Sequence, residues 1–413
     1  MDAIMFIGGI LYLFLFLFLL GIFIIVIASL FTKEKKTKNY TPNVSIIIPA
    51  YNEEKNIGAC IASLRKLAYP QNKLEIIVVD DGSTDATADI AKKAGVRVVK
   101  GQHKGKVAAL NLGVKHAKYD FIFTIDADTI VEKNCLKALT APLADSDVGA
   151  TTGNSKIKNN TSVLGMFQSI EYHYNNLIRV AFSKVFKNGI WFFGALACYR
   201  KSALKQIGFF KKDTLAEDMD SALELRRKGY RTVNVEDAFG HTIAPATVGE
   251  LFIQRRRWWI GTLQSLWKSR KLFSPKSPMS INFLFINQWW WSFYAFVSLP
   301  LIIYQVNYWL PYNMQNISML FWYLFRWFTL SGPFYVIYMI PEWGVSWYSI
   351  FGVLSGIVSF IMIAMAVYAF KDKGWRGNTM GAFLYFPYTI LLNTLIALSI
   401  IRYMLKRERF FIR

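Results

Sequence analysis

The tripeptide Asp126-Ala127-Asp128 closes an apolar run, YDFIFTIDADT (119–129). Two carboxylates one residue apart on an extended chain lie on one side. Such a pair can hold one hard divalent ion whose shell is completed by phosphate oxygens, and that ion neutralises charge on a departing diphosphate. The same pattern also makes turns and caps. Four further clusters share this ambiguity. Asp80 and Asp81 precede Gly82, as a strand-end acceptor pair or as an Asp-Gly turn. Lys104 and Lys106 flank Gly105 at a predicted helix start, as a diphosphate cradle or as a solvated basic turn. Glu217 and Asp218 open a predicted helix, where one carboxylate could take a proton from a hydroxyl and both could be capping acids. Gln254-Arg-Arg-Arg257-Trp258 offers forked donors for a diphosphate and an aromatic face for a sugar ring, or an anchor of snorkelling arginines and belt tryptophans.

The elements that must position these groups alternate. Apolar β-branched runs at 43–53, 73–85, 96–100 and 119–129 are separated by helical spacing at 56–67, 85–95 and 106–117. This predicts an α/β domain with a mostly parallel sheet, whose ligands bind beyond the C-terminal strand ends, where the acids sit. Later segments are less regular. A strand is predicted at 148–157, helices at 162–184, 217–230 and 249–269, and a strand or turn leading into a helix at 189–204.

Of the 413 residues 54% are hydrophobic, and they are concentrated outside this domain. Ala3–Phe31 is free of charge and long enough to cross about 30 Å of hydrocarbon. The lysines of KEKKTK (33–38) place the adjoining domain in the cytoplasm and the N-terminus outside. Apolar stretches near 283–306, 317–340, 349–370 and 383–405 bring the span count to five, with the terminal KRERFFIR back in the cytoplasm. The basic loop KDKGWRGN (371–378) then falls outside, against its charge, unless one stretch is re-entrant. Arg326, inside an apolar stretch, is expected to face a wet pore or a partner. The balance of 48 basic to 27 acidic residues, net +21, lacks a compact nucleic-acid recognition motif, so membrane lipids and an anionic substrate account for it better. Cys60, Cys135 and Cys198 have no zinc-like spacing and read as buried small hydrophobes.

The order DDG, KGK, DAD, ED, QxxRW ahead of a membrane bundle resembles the membrane-bound processive glycosyltransferases of family 2, the synthases of cellulose, chitin, hyaluronan and poly-N-acetylglucosamine. The resemblance implies a GT-A type α/β nucleotide-sugar-binding domain inserted in an α-helical transmembrane bundle. It divides the chain into a transmembrane helix (1–32), a cytoplasmic transferase domain (33–248), an interfacial region with QxxRW (249–281) and a bundle of about four spans (282–413). Tyr51, Glu53 and Asp81, with Asp80 beside it, match positions that hold the uridine. Lys106 lies near the diphosphate. Asp126 and Asp128 coordinate nucleotide and Mg2+ or Mn2+, Asp128 more directly. Asp218, with Glu217 beside it, matches the general base of a TED motif that reads AED here. Gln254, Arg257 and Trp258 match the terminal motif, Arg257 at the diphosphate and Trp258 under the acceptor sugar, leaving Arg255, Arg256 and Trp259 as membrane anchors. FFGALACYR (192–200) is similar to the segment that meets the acceptor end. The implied partners are a UDP-sugar, a growing polysaccharide and membrane lipids, with no nucleic acid and any helper subunit unidentified. The alternatives are non-processive transfer to a lipid carrier and a non-catalytic membrane scaffold.

Overall fold

The computed structural model describes residues 3–32, 40–309, 317–329, 331–370 and 376–405. The 33–38 lysines, the 406–413 tail and most of the 371–378 loop lie outside the described residues. Helix α1 (Ala3–Phe31) precedes a run of alternating elements: β1 (Val44–Ala50), α2 (Ile57–Arg65), β2 (Leu74–Asp80), α3 (Thr87–Lys93), β3 (Arg97–Lys100), α4 (Lys106–His116) and β4 (Phe121–Ile125). Then come β5 (Ile130–Val131), α5 (Cys135–Thr140), β6 (Val148–Ile157), α6 (Val163–Phe186), β7 (Leu196–Arg200), α7 (Lys201–Gln206), α8 (Glu217–Arg227), β8 (Arg231–Thr242) and α9 (Val248–Lys268). The expected helices and strands up to β4 are present within a few residues. Strand β8, twelve residues long, has no counterpart among the sequence expectations. Its sequence RTVNVEDAFGHT mixes charges into the alternation.

The strands form one eight-stranded sheet in the order β3-β2-β1-β4-β7-β6-β8-β5. Strands β3, β2, β1 and β4 are mutually parallel. The expectation of a mostly parallel sheet needs correcting beyond β4, because β7 is antiparallel to both β4 and β6, and β5 is antiparallel to β8. Strand order reverses at β1, so α2 and α4 cover opposite faces. Strand alternation sends Ile46 and Ile48 to one face, in one core cluster with Ile57, Ile61 and Leu64. Ile47 points the other way and shares a cluster with Leu110 and Val114. Burying each such side chain stabilises the fold by roughly 1.5–3 kcal/mol. Strand β1 pairs with β2 as far as Ala50 but with β4 only as far as Ile47. Beyond Ile47 the two neighbours part, and Pro49, which has no N–H to offer, falls in the section unpaired with β4. The crevice that opens there is a topological switch point, where α/β sheets bind ligands.

The apolar helices pack on this domain. Helices α10 (Met279–Trp309), α11 (Ile317–Phe328), α12 (Gly332–Trp343), α13 (Trp347–Phe370), α14 (Arg376–Phe383) and α15 (Tyr385–Leu405) complete the chain. Among the described residues three helices are long and apolar enough to cross a membrane: Phe6–Phe31, Trp347–Phe370 and Tyr385–Leu405. The single span expected at 317–340 is instead two helices of 12 residues each, about 18 Å apiece and short of the hydrocarbon thickness. Thr329 and Ser331 mark the break, with their hydroxyls 2.6 Å apart. Arg326 lies over the Tyr335 ring at 4.0 Å, an aromatic partner across that break.

Helices α1 and α13 run side by side in the same direction. Gly9 approaches Trp347 at their first turns, and Leu19, Ile22 and Val26 share a cluster with Met362 and Ala366 further on. The far end of α13 meets the domain, where Phe370 packs against His173 and Phe239. Helix α14 packs on α6, with Gly381 against Met166 and Ile170. The 371–378 loop, assigned to the far side by the five-span count, is therefore flanked by helices that sit on the domain side.

The three cysteines are buried free thiols, so an added cysteine reports on sidedness alone. In sealed vesicles, a Thr379→Cys variant is expected to react with an impermeant thiol reagent from the same face as Lys92→Cys on the domain surface. Labelling from opposite faces would mean that α13 exits away from the domain.

Candidate active site

The crevice wall begins at the end of β1. Tyr51 is half exposed and stacks on His103 with ring centroids 4.3 Å apart. Glu53 accepts a hydrogen bond from the Asn56 side chain at 2.8 Å. At the end of β2 both acids are buried and engaged by backbone. Asp80 accepts from the Ser83 N–H at 3.0 Å. Asp81 accepts from the N–H groups of Lys104 and Gly105 at 3.0 and 2.7 Å. Gly105, at φ +85°, begins α4 in a conformation that side-chain-bearing residues avoid. Asp81 thus pins the basic turn that hands over to α4.

The next residue on that helix is the centre of the site. Lys106 Nζ lies 2.6 Å from Asp126 and 3.5 Å from Glu217. Burial alone would lower its pKa, but Asp126 and then Glu217 outweigh it, and the ammonium is held charged well above the usual range. Asp218, next to Glu217 at the start of α8, accepts from the Gly194 N–H at 2.8 Å and from the Met219 N–H at 2.8 Å. Burial, then the like charge of Glu217, push its carboxyl up to about 6, against the pull of those N–H groups and Lys106. Close approach explains Gly194, since a Cβ there would sit 2.7 Å from the Asp218 Cβ.

Asp128 accepts from Thr129 Oγ1 at 3.1 Å and, more loosely, from Thr242 Oγ1 at 3.4 Å. Burial, then the like charge of Asp126, push its carboxyl up to about 6. Among the described residues no three His, Cys, Asp or Glu side chains gather as a metal cluster. The Asp126–Asp128 pair nevertheless fits a divalent cation completed by phosphate oxygens. Asp128 is a largely buried acid whose hydrogen-bond donors, among the described residues, are two neutral hydroxyls. Asp126 turns one oxygen to Lys106, which leaves the other for a cation.

Helix α9 forms the opposite wall. A capping box between Thr247 and Glu250 fixes its start. Gly261 lets it lie flush on the segment before α8, where a Cβ would meet the Ala216 nitrogen at 2.6 Å. Gln264 accepts from the Leu215 N–H at 2.9 Å. Trp258 faces Tyr172 and Phe193, with ring centroids 6.2 and 6.0 Å away. Phe193 is the neighbour of Gly194, so the tryptophan platform and Asp218 meet through one dipeptide. Arg179, fully buried behind it, stacks on Phe193 at 4.4 Å and donates to the carbonyls of Trp191 and Gly153.

Two expectations for the arginine cluster need correcting. Arg255 is not a membrane anchor: it is buried, pairs with Glu171 at 2.6 Å and stacks on Trp258 at 4.5 Å. Trp259 donates from Nε1 to Ser292 on α10 at 3.0 Å and so packs between helices. Gln254 accepts from its neighbour Arg255. Arg257 is exposed. The structure thus brings Lys106, Asp126, Glu217 and Asp218 together, with Asp128 and Trp258 bordering them. Tyr51, Glu53, Asp80 and Asp81 line the crevice beyond. His103, Tyr172, Glu171 and Thr242 also belong to these walls, and no motif spacing marks them in the sequence.

A mixed sheet with carboxylates at its strand ends, flanked by apolar helices, is a GT-A-like glycosyltransferase fold. Residues 45–208 match the model of glycosyl transferase family 2, so this segment of the chain is similar to that family's domain. A poly-beta-1,6-N-acetyl-D-glucosamine synthase of Staphylococcus aureus is 32% identical over 245 residues, covering 55% of this chain and 58% of that protein. The synthase of the same name from Staphylococcus epidermidis is 31% identical over 252 residues, covering 58% and 60%. The chain thus spans somewhat over half the length of these relatives. Among solved structures, a mannosyltransferase from Pyrobaculum calidifontis, in complex with GDP-Man and Mn2+, superposes with a TM-score of 0.65 at 20% identity, covering 98% of this chain and 100% of that one. At that identity the likeness concerns the fold.

Gly194→Ala is expected to displace Asp218 and reduce turnover by on the order of 10²-fold, with sugar-nucleotide affinity little changed. A loss of affinity matching the loss of turnover would show that the site as a whole had collapsed. If Asp218 is the group that accepts a proton, as the resemblance implies, its raised carboxyl has to be ionised to do so, and the rate is then expected to fall as pH drops through about 6. A profile flat from pH 5 to pH 8, roughly the range over which such a group titrates, would remove Asp218 from the rate-determining protonation.

Proposed function

We propose that this chain is a family 2 glycosyltransferase that polymerises a UDP-sugar, with UDP-N-acetylglucosamine the first choice, into a β-linked polysaccharide at a membrane. The observation that carries the reading is the junction at Gly194. Its N–H holds Asp218, and the preceding Phe193 abuts Trp258. A sugar stacked on Trp258 would have its hydroxyl beside a partly buried carboxylate poised to accept a proton. The synthase relatives support the choice of sugar.

In the proposed step the terminal hydroxyl of the acceptor loses its proton to Asp218. The oxygen attacks the anomeric carbon from the side opposite the diphosphate. As the new C–O bond forms, the bond to the diphosphate oxygen breaks and UDP leaves with the electron pair. Lys106 stabilises that charge by exchanging part of its interaction with Asp126 for the leaving phosphate. Asp128, with Asp126, would hold Mg2+ or Mn2+, which when bound supplies positive charge to the diphosphate. Tyr51 and the Asp80–Asp81 turn are assigned to the nucleoside, Gln254 to the support of Arg255, and Arg257 to a diphosphate contact. The sidedness assigned is a cytoplasmic transferase domain on a multi-pass anchor, with the polymer extruded by successive additions.

A second reading, transfer of one sugar to a lipid carrier, draws on the break between α11 and α12. Two short helices there leave less spanning structure to enclose a polymer. Sizing the product on a gel distinguishes the two: a ladder or long polymer supports the first, and a single lipid-linked sugar the second.

Asp218→Asn should retain UDP-sugar binding and lose on the order of 10²–10⁴-fold in transfer, read as UDP release in the presence of Mg2+ or Mn2+. Wild-type rates in that variant would refute the assignment of the base.

A further inference from the structure

The buried pair Glu171–Arg255 has a third member that comes from the C-terminal helix. Tyr388 on α15 is buried and donates its hydroxyl to Glu171 Oε2 at 2.5 Å. The same oxygen receives Arg255 Nη2 at 2.6 Å. Arg255 then lies over the Trp258 ring at 4.5 Å and also donates to Gln254. Beside Glu171 stands Tyr172, whose ring also borders Trp258. Three elements distant in sequence, α6, α9 and α15, are therefore tied at one carboxylate oxygen. The Tyr388 ring is itself fixed by stacking on Phe167 of α6, with centroids 5.5 Å apart.

We propose that Tyr388 is a positioning residue for the acceptor platform, setting the orientation of Trp258 through Glu171 and Arg255. This rests on the acceptor reading of Trp258 given above and adds its control by an apolar helix. The physical reason is geometric. A guanidinium stacked on an indole keeps its plane only while its forked donors are satisfied. Glu171 takes the Nη2 donor and Gln254 the Nη1 donor, so the carboxylate anchors one arm of the fork. A hydroxyl sharing that carboxylate oxygen holds the oxygen in place and restricts the side chain to one rotamer. Displacement of α15 would therefore turn Trp258 without touching the carboxylates that hold the sugar nucleotide. Acceptor affinity is thereby coupled to the state of the membrane helices, while donor affinity is not.

The test uses the full-length protein in detergent with Tyr388→Phe, which keeps the ring and its stacking. Two readouts are taken. With a β-1,6-linked N-acetylglucosamine pentamer as acceptor and UDP-N-acetylglucosamine as donor, the acceptor KM is expected to rise roughly tenfold, the loss of one charge-assisted hydrogen bond, with the donor KM within about twofold. In protein labelled with 5-fluorotryptophan, the Trp258 fluorine signal, assigned by its absence in Trp258→Phe, is expected to shift in Tyr388→Phe and by a similar amount in Glu171→Gln. The double variant should be no worse than either single one, because all act through one oxygen. An unmoved Trp258 signal, or equal changes in both KM values, overturns the proposal. A moved signal in a protein that transfers no sugar upholds the linkage and removes the acceptor reading instead.

Discussion

One ammonium group holds this site together. Asp126, Asp128, Glu217 and Asp218 come from two separate elements, and without a cation among them their mutual repulsion would force them apart or protonate them. Lys106 supplies that cation from the first turn of α4, in contact with Asp126 and Glu217. It is placed there by Asp81, which fixes the Lys104–Gly105 turn. The DDG, KGK, DAD and ED clusters are therefore one electrostatic unit. Each is weak evidence of function by itself, and their dependence on a shared charge is what makes them a site. Of these four, Asp128 and Asp218, which stand one step removed from that ammonium, are pushed up toward neutrality. Chemistry is proposed for both, toward a metal for Asp128, shared with Asp126, and toward a proton for Asp218.

The opposite wall is organised by packing. Gly261 removes the Cβ that would separate α9 from the segment leading into α8, and Gly194 removes the one that would push Asp218 aside. These absences of side chain set the distance between the aromatic platform and the carboxylate. The AED sequence fits this crowding: Ala216 is buried against Gly261, and the hydroxyl nearby comes from Thr214, which donates to the Ala216 carbonyl at 3.2 Å.

How much of this is legible in the chain depends on the range of each interaction. The strand and helix periodicity up to β4 is local, so Ile46–Ile48 and the acids at the strand ends can be placed from sequence. The motif residues can be singled out because their types limit what they can do. Strand β8 escapes such a reading because it carries Glu236 and Asp237 within its span, which breaks the apolar alternation. The role of Arg255 escapes it because Glu171 lies 84 residues from Arg255 and 217 from Tyr388, distances that no spacing encodes. An arginine beside tryptophan looks the same in a sequence whether it faces lipid or carboxylate. The 317–340 stretch reads as one span because hydropathy registers apolar length and not the Thr329–Ser331 hydroxyl contact at the break between its two helices.

The adjacency of Phe193 and Gly194 has a consequence for fidelity. The ring that borders the platform and the N–H that steadies the carboxylate are carried by consecutive residues, so neither can move far without the other. On the proposed reading, a sugar pressing on that ring would settle the carboxylate as it docks, whereas a water molecule, too small to press on anything, would gain no such alignment. Selection of a saccharide over solvent would then be written into a single stretch of main chain.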